Sequence, residues 1–218
     1  MLQLGENMKQ RRKIPDSDWR DGFLFVSNHL ALDFLNTRPI QNGEARELLS
    51  DFGALLRWFQ AARLLSTREM ANLQLQGESV TARRALEAMR RFREKLRKEV
   101  LAWEGGAHVH RSTVEELNQL MAVHPMLSKL EATGNVPFLG PWFEPFLPED
   151  LFAPLAHSAA KLFAEADRNR VRKCGQCVLH FYDTSKKGTR RWCSMQLCGN
   201  RLKVAAYAAR QRLNANEG

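Results

Sequence analysis

Residues 174–198 read CGQCVLHFYDTSKKGTRRWCSMQLC and hold all four cysteines of the chain: Cys174, Cys177, Cys193 and Cys198. Two close pairs with 15 residues between Cys177 and Cys193 are the arithmetic of a tetrahedral zinc site. With Zn–S near 2.3 Å, the ligand sulfurs must lie about 3.5–4 Å apart, and a tight turn over residues 174–177 brings the first pair to that spacing. Gly175 is expected to supply an unusual dihedral in that turn. An iron–sulfur cluster would use the same ligands, but nothing in the chain suggests electron transfer. Disulfides belong to oxidising compartments. The expectation is one structural Zn2+ per chain, because four protein ligands leave no open position for substrate.

The interval between the pairs can hold a hairpin. Residues 178–182 read as a strand, 185–188 as a turn and 189–192 as the return strand. His180 is expected to face away from the metal. Residues 197–213, rich in Ala, Leu, Arg and Lys, read as a closing helix.

Charge gathers around the same cysteines. Net charge is +9 over 218 residues. Residues 161–218 hold 13 Lys/Arg and 4 Asp/Glu, whereas residues 1–160 hold 20 of each. The whole excess lies in the last quarter. Zinc with four thiolates would leave that quarter near +7. Such concentrated positive charge implies a polyanionic partner, nucleic acid before anionic membrane, against the bland reading of a solubilising tail.

The stretch RRWCSMQLCGNR over residues 190–201 resembles the CGNR zinc finger family, whose tetrapeptide is Cys198-Gly199-Asn200-Arg201. CGQC at 174–177 and FYDTS at 181–185 are similar to that family as well. LALDFLNT at 30–37 resembles the opening motif of the ABATE domain, which usually precedes this finger. The resemblance implies a bacterial, stress-linked transcription regulator with a treble-clef-like ββα finger.

On a helical wheel with Cys198 at zero, Leu202, Ala205, Ala206, Ala209 and Leu213 fall within about 80° and form a buried face of small residues. Asn200, Lys203, Tyr207, Arg210 and Asn214 gather opposite, and Arg201 and Arg212 lie on a third face. The far stripe is the candidate nucleic-acid surface. Lys203 and Arg210 would meet phosphates, and Asn200 would reach a base edge, cap the helix or brace the zinc loop. Arg201 and Arg212 are further candidates for nucleic-acid contact, and Arg201 would alternatively brace the zinc loop. Arg190 and Arg191 precede Trp192. As strand neighbours they would point to opposite sides, so only one could share the stripe's surface. The bland reading is a solvated helix face with Tyr207 packed on the N-terminal domain.

Upstream, the pattern is mostly helical. Residues 1–20 are polar, basic and broken by Pro15, which suggests a mobile segment. Ser27-Asn28 is expected to cap a short helix over 30–36. Helices are expected over 50–65, from Ser66-Thr67 to about Gly77, and over 80–103 with Leu86, Met89, Phe92, Leu96, Val100 and Trp103 as the apolar stripe. The Arg-rich outer face of the last, with Glu87, Glu94 and Glu99, reads as solvated. Ser112 with Glu115 suggests a capping box opening a helix to Val123. Residues 127–130 and 136–139 read as a hairpin, the prolines at 137, 141, 145 and 148 as an irregular stretch, and 149–168 as a helix.

The expected fold class is mainly α: residues 21–168 form a helical domain with a small β-hairpin, and residues 169–218 form the finger. Asp33 and Asn36 share a helix face and are candidates for binding a small effector, against the blander reading that they hydrogen-bond a neighbouring segment. His108 and His110 follow two glycines and read as exposed. No phosphate-binding Gly loop, nucleophile elbow or paired-His motif stands out, so no enzyme is expected. No apolar run spans a bilayer and no secretory signal is legible, which points to a cytoplasmic protein without membrane contact. The expected function is DNA-binding transcription regulation with a sensor or dimerisation domain, the DNA double-stranded and a homodimer the assembly considered. An RNA-binding or ribosome-associated module, or a protein-interaction module, is the alternative.

Overall fold

A computed structural model describes residues 18–41, 44–133, 136–177 and 179–199. The described residues open on a hairpin, β1 (Trp19–Arg20) with β2 (Phe23–Leu24), joined through Asp21 at φ 47° and Gly22 at φ 79°. Positive φ at both central residues is the tight hairpin turn that Asp-Gly favours. Trp19 and Arg20, at the end of the segment read as mobile, thus form a strand, and residues 1–17 of that segment lie outside the described residues. Arg20 lies 4.8 Å over the Phe25 ring and donates to the Ala61 carbonyl.

Helix α1 (Leu30–Leu35) follows, with Ala31 through Leu35 buried. The expected cap at Ser27-Asn28 is not made. His29 occupies the N-cap position but its side chain does not cap the helix, and Asn28, at φ 58°, turns its amide elsewhere. A small hairpin, β3 (Ile40–Gln41) with β4 (Glu44–Ala45), leads to α2 (Phe52–Ala61). Asp51 caps α2 by accepting from the Ala54 amide at 2.7 Å. The helix stops before the expected position 65 because Arg63 adopts φ 62°. Helix α3 (Thr67–Gln74) begins with a capping box between Ser66 and Glu69.

The longest element, α4 (Val80–Glu104), is capped by the Ser79 hydroxyl and closed at Gly105. All six residues of its expected apolar stripe are buried. Its outer face is not uniformly solvated: Arg93 is 1% exposed and Glu99 7%. Helix α5 (Arg111–Val123) starts from His110, two residues before the expected cap at Ser112. The His110 amide is met from α4 instead: Glu99 accepts from it at 2.7 Å and also from the Thr113 hydroxyl at 2.9 Å.

Strands β5 (Leu127–Thr133) and β6 (Val136–Trp142) pair antiparallel, with Leu130 opposite Leu139. Pro137 and Pro141 lie inside β6, not in an irregular stretch. A two-stranded ribbon leaves each strand an outer edge, and proline needs no donor there. A 3-10 turn over Pro148–Leu151 feeds α6 (Phe152–Glu165). The last pair is β7 (Val171–Lys173) with β8 (His180–Tyr182). About half of the described chain is helical, and its sheets are all two-stranded antiparallel pairs.

The main core lies where α1, α2, α4 and α6 meet. Trp58 sits at its centre, 5.5 Å from the Phe34 ring and 5.1 Å edge-on to Phe59. Each fully buried aromatic or aliphatic side chain there contributes roughly 1.5–3 kcal/mol of transfer free energy. A second, smaller cluster joins Val26, Leu179 and Phe181 to Cys174, Cys193 and Cys198.

Candidate metal centre and its anchorage

The four cysteines converge. One ligand atom from each of Cys174, Cys177, Cys193 and Cys198 lies within 4.8 Å of all the others. The Cys177 and Cys193 sulfurs are 3.3 Å apart, and those of Cys193 and Cys198 3.6 Å. A tetrahedron with Zn–S near 2.3 Å has edges of about 3.8 Å, so the cluster closes on a zinc-sized centre with little movement.

The local folding differs from the expected hairpin. Strand β8 does not pair with residues 189–192, which form no strand. It pairs backward with β7, placing Lys173 opposite His180. The Cys174 amide donates to the Leu179 carbonyl at 2.8 Å. The first cysteine pair thus sits in the loop of a β7–β8 hairpin, and the second pair arrives on an irregular segment. Gly175 has an ordinary φ, and an added methyl would meet only the Trp192 ring at 3.6 Å, so that position does not require glycine. Gly188, at φ 60°, is the turn residue of the interval. The closing turn over Met195–Gly199 is a π-turn.

The electrostatics favour a dication. Hydrogen bonding from Cys193 lowers the Cys177 thiol to about 5. The Cys193 thiol is pushed far up by its bond to Cys177, by burial and by the neighbouring charge. Burial, with the same thiolate nearby, raises Cys198 to about 12. A lowered thiol beside two raised ones reflects mutual repulsion of thiolates, which a bound cation would cancel. Bound zinc would supply that charge and cross-link the two cysteine pairs.

The loop that reaches the second pair is braced by Asp183. Its carboxylate accepts from the Ser185 amide at 2.9 Å and from the Arg190 amide at 2.8 Å. Against the cost of burial, these bonds hold its pKa below the usual carboxylate range. Arg190 donates to the carbonyls of Trp192 and Val26 and lies 4.6 Å over Phe181. Its guanidinium is committed to the fold. Arg191 is exposed, 5.7 Å from the Trp192 ring. Asn200, Arg201, Lys203, Tyr207, Arg210 and Arg212, and the helix expected to carry them, lie outside the described residues.

The polar residues of the LALDFLNT stretch each fasten a different segment. Asn36 donates to the His180 carbonyl at 2.8 Å and accepts from the His180 amide at 2.9 Å. A side-chain amide thereby completes the outer edge of β8 as a strand would. Asp33 accepts from the Ser27 amide at 3.1 Å. Burial raises its carboxyl to about 6, against the Ser27 hydrogen bonds and the charge of Arg20. Thr37 accepts from Arg93 at 2.8 Å. Asp33 and Asn36 thus bond to neighbouring segments.

Further contacts tie the two regions together. The Tyr182 amide donates to the Ser27 carbonyl at 2.7 Å, and the Asn28 amide to the Tyr182 carbonyl at 3.1 Å. The Ser194 hydroxyl bonds Asp18, and the Lys173 amide donates to Glu104 at 3.1 Å. His180 is 2% exposed and makes none of these bonds with its ring. Burial, and then Arg97 and Lys173, lower its pKa to about 4, so it is neutral near pH 7.

Sequence reasoning missed Arg93 and Glu47. Arg93 donates to Glu47 through both terminal nitrogens and to Glu94 at 3.0 Å. Its hydrogen bond and charge outweigh partial burial and hold Glu47 below the usual range. An arginine among many on one helix carries no sequence signal of this role. Only its place one residue from the stripe member Phe92 hints at it.

Among the described residues no helix is long and apolar enough to cross a membrane. Residues 28–166 match the ABATE family, described as "putative stress-induced transcription regulator", and residues 170–211 match the CGNR zinc finger. No curated protein matches the chain significantly.

Proposed function

We propose, since the chain belongs to the ABATE family and carries its CGNR zinc finger, that it is a cytoplasmic DNA-binding transcription regulator and not an enzyme. One Zn2+ per chain is structural and holds the basic segment in shape. The carrying observation is the convergence of four cysteines inside the segment that bears the chain's whole positive excess. A closed four-sulfur site offers no position for substrate. Lys173, Lys186, Lys187 and Arg191 are exposed around it, and this cationic surface supports contact with phosphates. The stripe of Lys203, Tyr207 and Arg210, read from sequence, would extend that surface in a treble-clef-like arrangement. Double-stranded DNA is the proposed partner.

The helical body would receive the signal or dimerise. In support of dimerisation, Leu130 and Leu139 face each other across the β5–β6 ribbon and are 66% and 64% exposed. Sedimentation at micromolar concentration tests it, and a monomer rejects it.

The decisive experiment is a salt-matched competition between duplex DNA and structured RNA. Duplex should win. Replacing Lys203 and Arg210 by alanine should weaken binding across sequences and flatten the log–log salt slope by about two, one per phosphate contact. An unchanged slope rejects those contacts. Preference for RNA, or no polyanion affinity near 0.1 M salt, would move the reading to an RNA-binding or protein-interaction module.

A further inference from the structure

A cleft of about 250 Å³ opens where α4, the β3–β4 hairpin and the β7–β8 hairpin meet. Arg38, Arg97 and Lys173 line it, with Glu94 as the one carboxylate among its lining residues. Its other walls include the apolar side chains of Ile40, Leu101 and Leu179. His180 also lines it, 2% exposed, and neither of its ring nitrogens has a hydrogen-bond partner among the described residues. The closest acid, Glu104, stands 4.0 Å from Nε2, beyond hydrogen-bond reach. A buried donor and acceptor without partners cost about 1–3 kcal/mol each, and native structures rarely leave them so.

The charge of the walls selects the ligand. Glu94 is already shared among Arg38 at 3.3 Å, Arg93 at 3.0 Å and Arg97 at 3.3 Å. Lys173 is exposed, and among the described residues no ion pair engages its ammonium. The balance is cationic, and Ile40, Leu101 and Leu179 make part of the lining hydrocarbon. A bare inorganic anion would leave that hydrocarbon uncovered. A neutral apolar molecule would leave His180 and the cations unmatched.

We propose that this cleft binds a small organic anion, a carboxylate carried on a compact apolar body. The carboxylate accepts from the His180 ring and meets the charges of Arg38 and Lys173. The body lies against Ile40, Leu101 and Leu179. Asp33 and Asn36 are not among its lining residues, although Asn36 holds the backbone of His180. Lys173 immediately precedes Cys174, so the ligand would contact the metal-binding hairpin directly. The proposal concerns binding alone and holds whether or not the finger binds DNA.

The test is NMR of the zinc-loaded full chain carrying 15N-labelled histidine. Sodium benzoate, butyrate and phosphate are titrated at constant ionic strength. Benzoate or butyrate should shift the His180 ring nitrogens saturably in the millimolar range, ahead of phosphate. Leu101→Trp fills the cleft from an exposed helix position and should abolish the shift. Arg38→Gln should weaken it about tenfold. Unchanged zinc content and an unchanged His110 ring signal establish that each variant is folded. No saturable shift at His180 with either carboxylate, equal binding of phosphate, or a shift that survives Leu101→Trp overturns the proposal.

Discussion

Among the described residues, 29 buried side chains make the core of the helical body, whereas six make the core of the cysteine module, and three of those six are cysteines. A fourth member of the small core, Val26, is lent by the N-terminal segment. The body can stabilise itself by burying hydrocarbon. The module has too little to bury, and small units of that kind depend on metal or on a neighbour. Here it has both. Its strand β8 is edged by Asn36, and its loop is braced through Arg190 to Val26. The comparison teaches that the finger is not a bead on a string. Its inner face is completed by the body.

The sharpest way to break the comparison is to remove the metal. Chelation, or Cys193→Ser, should unfold the module while α4 keeps its protection, since structural zinc in small fingers supplies on the order of 10 kcal/mol. Hydrogen exchange resolved by segment measures this: residues 180–182 should exchange fast and residues 86–100 stay slow. Uniform protection after complete zinc loss would show that the body alone holds the module.

Arg93→Met tests the opposite side. It leaves Glu47 half-buried without its partner and should lower global stability by about 3 kcal/mol in denaturant melts, while zinc affinity stays unchanged. A pH measurement sharpens the picture within α1. The Asp33 carboxyl is raised in the folded state from 3.8 to about 6. A raised acid favours folding while protonated, so its contribution is full below about pH 4 and lost as pH rises to about 6. Asp33→Asn keeps an acceptor for the Ser27 amide. It should gain roughly 2–3 kcal/mol over wild type at pH 7 and little at pH 4. An equal difference at both pH values would contradict the raised value.

The smallest expected effect is the most local. Asn36→Ala strips two bonds from the His180 backbone and should cost about 2 kcal/mol. The loss should appear as faster exchange of the His180 amide and weaker zinc retention, with α4 unaffected. If the body loses stability equally, Asn36 serves α1 and not the join.

Much of this was legible in the chain. The four ligands follow from spacing, because two close pairs have few other uses. The apolar stripe of α4 follows from its period, since each member is spaced three or four residues from the next. What was not legible depends on partners far away in sequence. The residues around β8 read locally as half of a hairpin with 189–192, and only the tertiary arrangement sends that strand back to β7. Ser112 looked like a cap, but Glu99 from α4 serves the amide at His110 instead. Arg93 looked like one solvated cation among many. The polar members of α1 were recognised as a pair on one face, but no local rule tells that one of them reaches 144 residues onward to His180.

That reach has a consequence in time. During synthesis the segment from Asp18 to Asn36 leaves the ribosome early, yet its partners at Tyr182, Arg190 and Ser194 are still to be translated. At roughly 5–20 residues per second, that interval lasts on the order of 10–30 seconds. Through it, the nascent chain carries an unfinished seam, and a metal held by all four cysteines could be acquired only late. A message cut short before the second cysteine pair would release a product with that seam still open, an exposed flaw by which quality control could single it out.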